Sequence, residues 1–186
     1  MLLLVSDIHL ADLGTSPTVD LNSLNRCFRN AATEAKVLGA ETLDIILLGD
    51  IFEILKSRKW LERSTRPWEV STPAHVDTVS SIFEEIVAVN ARFFDDLDSL
   101  RREFPFVRVK YVIGNHDGPL TTAMGTHAAE RLSKLLKSDW QTYESIPRTL
   151  VDPDHRVIAT HGHEHDPQNR FVKNQITLAR IPTLVF

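Results

Sequence analysis

Four runs in this chain that read as strands each end abruptly in aspartate, histidine or asparagine, and that recurrence restricts the fold more than any other feature. The run 107–113 leads directly into Gly114, Asn115, His116 and Asp117. The run 2–6 leads into Asp7, Ile8 and His9, and the run 43–48 into Gly49 and Asp50. The run 156–160 leads into His161, Gly162, His163, Glu164, His165 and Asp166. Short apolar runs rich in β-branched residues read as strands, and strands apolar on both faces belong in a sheet covered on both sides. Chemistry in α/β sheets gathers at the carboxyl ends of the strands. Four such ends therefore predict an α/β fold with one polar site.

Helices are expected between the strands. Leu21, Leu24, Cys27, Phe28, Ala31, Ala35 and Leu38 recur at helical spacing, with Gly39 as a stop. Cys27 reads there as a small buried hydrophobe. Thr72 and Pro73 look like an N-cap and a first helical residue, opening one long helix whose stripe runs from Val76 through Ile82, Phe83, Ile86 and Phe93 to Leu100. Its acidic residues, Glu84, Glu85, Asp95, Asp96 and Asp98, belong to a solvated face. A shorter helix is expected over 126–137, then a hairpin turning at Asp152, Pro153 and Asp154. The segment 56–68 mixes Lys56, Arg58, Lys59, Arg63 and Arg66 with Trp60 and Trp68. It reads either as a substrate-binding lid, since cations and flat aromatics suit phosphate or base ligands, or as a surface segment whose tryptophans pack on the domain. His75, His127 and His155 lack motif context and read as surface residues. Glu53 reads as a support for a ligand or as an exposed helix-start carboxylate. The stretch 168–186 is partly apolar and has no clear element.

The chain of 186 residues, 42% hydrophobic and 25% charged, suits a single domain with a substantial core. A net charge of -4 gives no general attraction to nucleic acid or an anionic membrane, so an anionic substrate must be drawn by local charge or metal. One cysteine excludes an intrachain disulfide and makes a cytoplasmic location the default expectation. The apolar start reaches Asp7 too soon for a signal peptide or transmembrane segment. Oligomeric state is not legible.

The ordered set Asp-x-His, Gly-Asp, Gly-Asn-His-Asp and a histidine-rich strand end spans nearly the whole chain and resembles the calcineurin-like metallophosphoesterase family, near its UDP-2,3-diacylglucosamine hydrolase-like branch. The resemblance implies two stacked mixed β-sheets flanked by helices, with the site at one edge. It implies a phosphate mono- or diester as substrate and two divalent metal ions, manganese foremost, with iron or zinc as alternatives. Asp7 and His9 would hold one metal, Asp50 would bridge both, and Asn115 and His161 would belong to the second. His116 would act as general acid, with Asp117 orienting it. Family members close their site with a later Gly-His-x-His. His163 and His165 match that motif in letters, but they follow a hairpin strand where the family carries its earlier lone histidine, here His161. They are secondary ligand candidates, and on this reading the domain ends before its C-terminal strands.

The residue types suit that chemistry. Two metals about 3.5–4 Å apart neutralise phosphoryl oxygens and lower the pKa of a water toward ~7. A carboxylate can span two cations, and an amide oxygen ligates without adding negative charge. Mixed oxygen and imidazole donors without a thiolate cluster suit borderline metals and argue against structural zinc. An imidazole can protonate a departing alkoxide near neutral pH. Two rivals stand beside this reading. The His-x-His-x-His-Asp string resembles the motif of metallo-β-lactamase-like hydrolases, but leaves residues 114–117 unexplained. A non-catalytic phosphoesterase-like scaffold that binds a partner protein would suit an incomplete ligand set.

Overall fold

The computed structural model describes residues 1–69, 72–124, 126–138 and 145–166. The expected strands form as β1 (Leu2–Val5), β2 (Leu43–Leu48), β3 (Val107–Val112), β4 (Thr149–Asp152) and β5 (Val157–Thr160). The helices are α1 (Leu21–Val37), α2 (Lys59–Glu62), α3 (Pro73–Val89), α4 (Ala91–Glu103) and α5 (Thr126–Leu136). A π-helical turn, Leu120–Met124, precedes α5, and a 3₁₀ turn, His163–His165, follows β5. The class is mixed α/β. One sheet is parallel, in the order β1-β2-β3, and β4 pairs with β5 as an antiparallel hairpin. The first sheet is thus wholly parallel, as helical crossovers between consecutive strands require. The stretch 168–186 lies outside the described residues, and no helix among those described is long and apolar enough to cross a membrane.

Alternation along the strands sorts their side chains. Leu43, Ile45, Leu47, Val107, Val109 and Tyr111 join the main core with residues of α1, α3, α4 and α5. On the other face Ile46 and Val112 are buried too, but there Asp44, 2% exposed, takes Arg108 Nε at 2.5 Å and Lys110 Nζ at 2.7 Å. The run 107–113 is therefore continuously apolar on one face and mixed on the other. Phe52 anchors the core beneath the end of β2, edge-on to Phe83 at 5.2 Å and Tyr111 at 6.4 Å.

Several expectations need correction. The long helix breaks at Asn90, whose buried amide donates to Ala11 O at 2.9 Å and Ile86 O at 2.8 Å. Asn90 has left the helical conformation, with φ −104° and ψ 24°, and α4 starts after it. The buried stripe of α1 is Leu24, Phe28, Ala32 and Ala35, so Cys27, about 100° away from Phe28, is exposed, as is Leu38. His75 is buried, 1% exposed, against Trp60. Of the acidic residues, Glu84 pairs with Arg131, Glu85 with Lys59, and Asp98 with Arg101 and Lys137.

Segment 56–68 is largely tied down. Trp60 is buried and donates its indole N–H to Ile54 O at 2.7 Å. Arg66 spends its guanidinium on the carbonyls of Trp60, Arg63 and Thr65. Lys59 reaches Ser81 and Glu85. These contacts favour the packed-segment reading over the lid.

Candidate metal centre

Backbone pairing continues past the ends of β1 and β2, and this brings the polar ends together. Asp7 N donates to Gly49 O, His9 N to Asp50 O and Leu10 N to Ile51 O, ending in a parallel bridge between Leu10 and Phe52. Side chains cannot follow ordinary strand geometry here. Asp7, His9 and Asp50 adopt φ of 56°, 49° and 53°, left-handed conformations that cost non-glycine residues on the order of 1–3 kcal/mol and cluster at functional sites. Two glycines are required by close approach. A Cβ on Gly114 would lie 2.1 Å from Asp50 Oδ1, and one on Gly49 would lie 2.5 Å from the His161 ring. Ile113 N donates to Pro147 O, fastening the hairpin's entry to the end of β3.

Three imidazoles share one arrangement. His9 Nδ1 lies 2.8 Å from Glu53 Oε2, His116 Nδ1 2.6 Å from Glu53 Oε1, and His161 Nδ1 3.0 Å from Leu48 O. A carboxylate or carbonyl only accepts, so each Nδ1 carries a proton and each Nε2 is left to face the centre. His161 Nε2 sits 3.2 Å from Asp50 Oδ2 and 3.1 Å from Asn115 Oδ1. His116 Nε2 is 3.9 Å from Asp50 Oδ2, and His9 Nε2 is 3.7 Å from Asp7 Oδ1.

Two groups of ligand atoms result, His9 with Asp50 and His116, and Asp7 with Asp50 and His161, the atoms of each within 4.8 Å of one another. Asp50 belongs to both, as a bridging carboxylate must. Asp7 and His9 each enter a different one of these groups, yet His9 Nε2 lies 3.7 Å from Asp7 Oδ1, close enough for the two to share an ion. His163 and His165 belong to neither group among the described residues. The donor set, carboxylate and imidazole with an amide oxygen alongside, fits borderline divalent metals.

Electrostatics follow from these contacts. Burial pushes the Glu53 carboxyl up, but hydrogen bonds from His116 and His9 outweigh it and hold the group far below the usual carboxylate range. Burial also pushes Asp50 up, and His161 and His116 bring it below its ordinary value. The hydrogen bond to Glu53 raises His9 despite burial. The hydrogen bond to Asp50 raises His161 to about 9. Burial raises Asp117 to about 6, with the neighbouring Asp50 charge adding to it.

The carboxylate that orients His116 is Glu53, not Asp117. Asp117 is fully buried and accepts from Phe52 N at 2.7 Å, Gly114 N at 3.0 Å and Ile51 N at 3.3 Å. Sequence reasoning left Glu53 open, although its place three residues after Asp50 was the available signal. One acceptor serving two histidines appears only once strand ends from three parts of the chain are superposed. No family model, curated protein or solved structure matches this chain.

Proposed function

We propose that this chain is a divalent-metal-dependent phosphoesterase with the calcineurin-like architecture, hydrolysing a phosphate mono- or diester at a dinuclear site. The observation that carries the reading is the convergence of three imidazole Nε2 atoms, each tied back at Nδ1, on the neighbouring carboxylates of Asp7 and Asp50. Asp7, His9, Asp50, Asn115 and His161 would hold two ions, manganese foremost, with iron or zinc as alternatives. Bound there, the ions would supply charge neutralisation at phosphoryl oxygens and acidify a water. Glu53 holds His9 and His116 in the tautomer that presents Nε2. His116, whose Nε2 stands farther from Asp50 Oδ2 than that of His161, would act in its doubly protonated form, giving the Nε2 proton to the ester's leaving oxygen while Nδ1–H stays on Glu53.

The test is turnover of a panel of nucleotide, sugar and lipid phosphates with Mn2+ and with a chelator. Metal-dependent release of phosphate or alcohol is expected, and its absence across the panel refutes the reading. His116→Ala should keep its metal and lose far more activity on alkyl esters than on nitrophenyl esters, whose leaving groups need little protonation. Loss of metal in that variant would make His116 a ligand instead. The second reading, a phosphoesterase-like scaffold that binds a partner protein, draws on the absence of His163 and His165 from both ligand groups.

A further inference from the structure

Asp117 presents a problem that the proposed reaction does not use. A carboxylate has about four acceptor positions. In Asp117 they face three backbone N–H groups and the buried hydroxyl of Tyr111. None remains for substrate or for the His116 ring. The donors come from two places. Ile51 and Phe52 follow Asp50 directly, and Gly114 precedes Asn115 directly. Asp117 therefore joins the turn that carries Asp50 and Glu53 to the turn that carries Asn115 and His116.

We infer that Asp117 is a positioning residue: its carboxylate clamps the two ligand-bearing turns together and holds Asp50 in the left-handed conformation that lets its carboxylate face both ligand groups. Strained φ values persist only where the surroundings over-determine them. At Asp50 the surroundings are identifiable. Its backbone is followed by two N–H groups gripped by Asp117, its Oδ1 accepts from His116 N at 2.8 Å, and Gly114 gives it room that no side chain could share. The clamp joins residues 65 and 66 positions apart in sequence, for which the adjoining strands β2 and β3 supply only the outer register.

The inference rests on the dinuclear reading, and the experiment separates the two. Mn2+ affinity is measured by calorimetry for the full chain and for Asp117→Asn, an isostere that turns an NH2 donor toward backbone N–H groups. Partners that orient metal ligands are worth about 10–100-fold in affinity, and a loss of that size is expected. Because Asp117 touches no reacting atom, turnover by the variant should recover at saturating Mn2+. An affinity equal to the parent's overturns the inference, as does an activity loss that saturating metal leaves in place. A second arm needs no variant. Amide hydrogen exchange of the native chain in chelator should show Ile51, Phe52 and Gly114 protected like the core of β2, and exchange at the rate of an open turn overturns the clamp. A parent chain that binds no Mn2+ refutes the dinuclear reading, and the exchange arm then decides the clamp by itself.

Discussion

Glu53→Gln tests the site at the point where most of its geometry depends on one side chain. Glu53 is 2% exposed and accepts from His116 Nδ1 at 2.6 Å, His9 Nδ1 at 2.8 Å and Lys56 Nζ at 3.0 Å. Glutamine keeps the shape but offers one carbonyl oxygen and one NH2. One imidazole keeps its acceptor, and the other meets a donor. That ring must then place its lone pair on Nδ1 and its proton on Nε2. If it is His9, a ligand atom is lost; if it is His116, the anionic acceptor that supports its doubly protonated form is lost. The first outcome weakens metal binding by about 10–100-fold, or ~1.4–2.8 kcal/mol. The second lowers turnover by about 10²–10⁴-fold. Calorimetry with Mn2+ and steady-state turnover of an alkyl phosphate at saturating metal read the two separately. Glu53→Asp retains the charge but is one methylene shorter, so it reaches only one of the two rings and should lose less than glutamine. A glutamine variant that binds Mn2+ and turns over like the parent would refute the account of Glu53 as the shared support.

Gly49→Ala puts a Cβ at φ +79° against the His161 ring, so a lower melting temperature, by about 1–3 kcal/mol of strain, and weaker metal binding are expected together. Unchanged values would mean the ring can move freely. Trp60→Phe leaves the buried Ile54 carbonyl without its donor and should cost about 1–3 kcal/mol in urea unfolding with KM unchanged. A raised KM with unchanged stability would restore the lid reading of segment 56–68. His161, raised from 6.5 to about 9, contributes stability that is fully present below 6.5 and is lost as pH rises through about 9. Melting in chelator should therefore fall across that window, and His161→Gln should flatten the fall.

The strand ends were legible in the sequence because a short apolar run followed by polar residues is a local signal. Asp7, His9, Asp50, Asn115, His116 and His161 were found this way, and all six converge in space. Their partners were not legible. The resemblance assigned Asp117 to the His116 ring, yet its carboxylate accepts from the backbone N–H groups of Ile51 and Phe52 instead. Glu53 shares no local pattern with the histidines 44 and 63 positions away that it supports. Helical periodicity predicted the stripe across 76–100 but could not see the break at Asn90, whose amide bonds the Ala11 carbonyl 79 positions away as well as Ile86 O. His75, read as a surface residue, is buried against Trp60, because a histidine without motif context says nothing about what packs above it.

The two remaining histidines match the closing motif in letters but stand outside both ligand groups. Had residues 161–165 been extended, His163 and His165 would share a face and could approach one ion as a pair. Gly162 instead adopts φ 90° and starts a 3₁₀ turn, in which residues two apart point to different sides. His163 is buried, 7% exposed, with its ring 5.4 Å from that of His161 and tilted by 44°, while His165 is exposed. Burial and the neighbouring His161 push the His163 imidazole below its ordinary value. The two residues should then behave differently. His165→Ala is expected to leave Mn2+ affinity as it is. His163→Ala removes the ring that packs on His161 and should weaken binding by less than about 10-fold, the lower bound for a partner that holds a ligand directly. Calorimetry on both variants at one pH decides the matter. If each abolishes binding of one or both ions, His163 and His165 are the closing ligand pair, and residues 161–165 rearrange when metal enters.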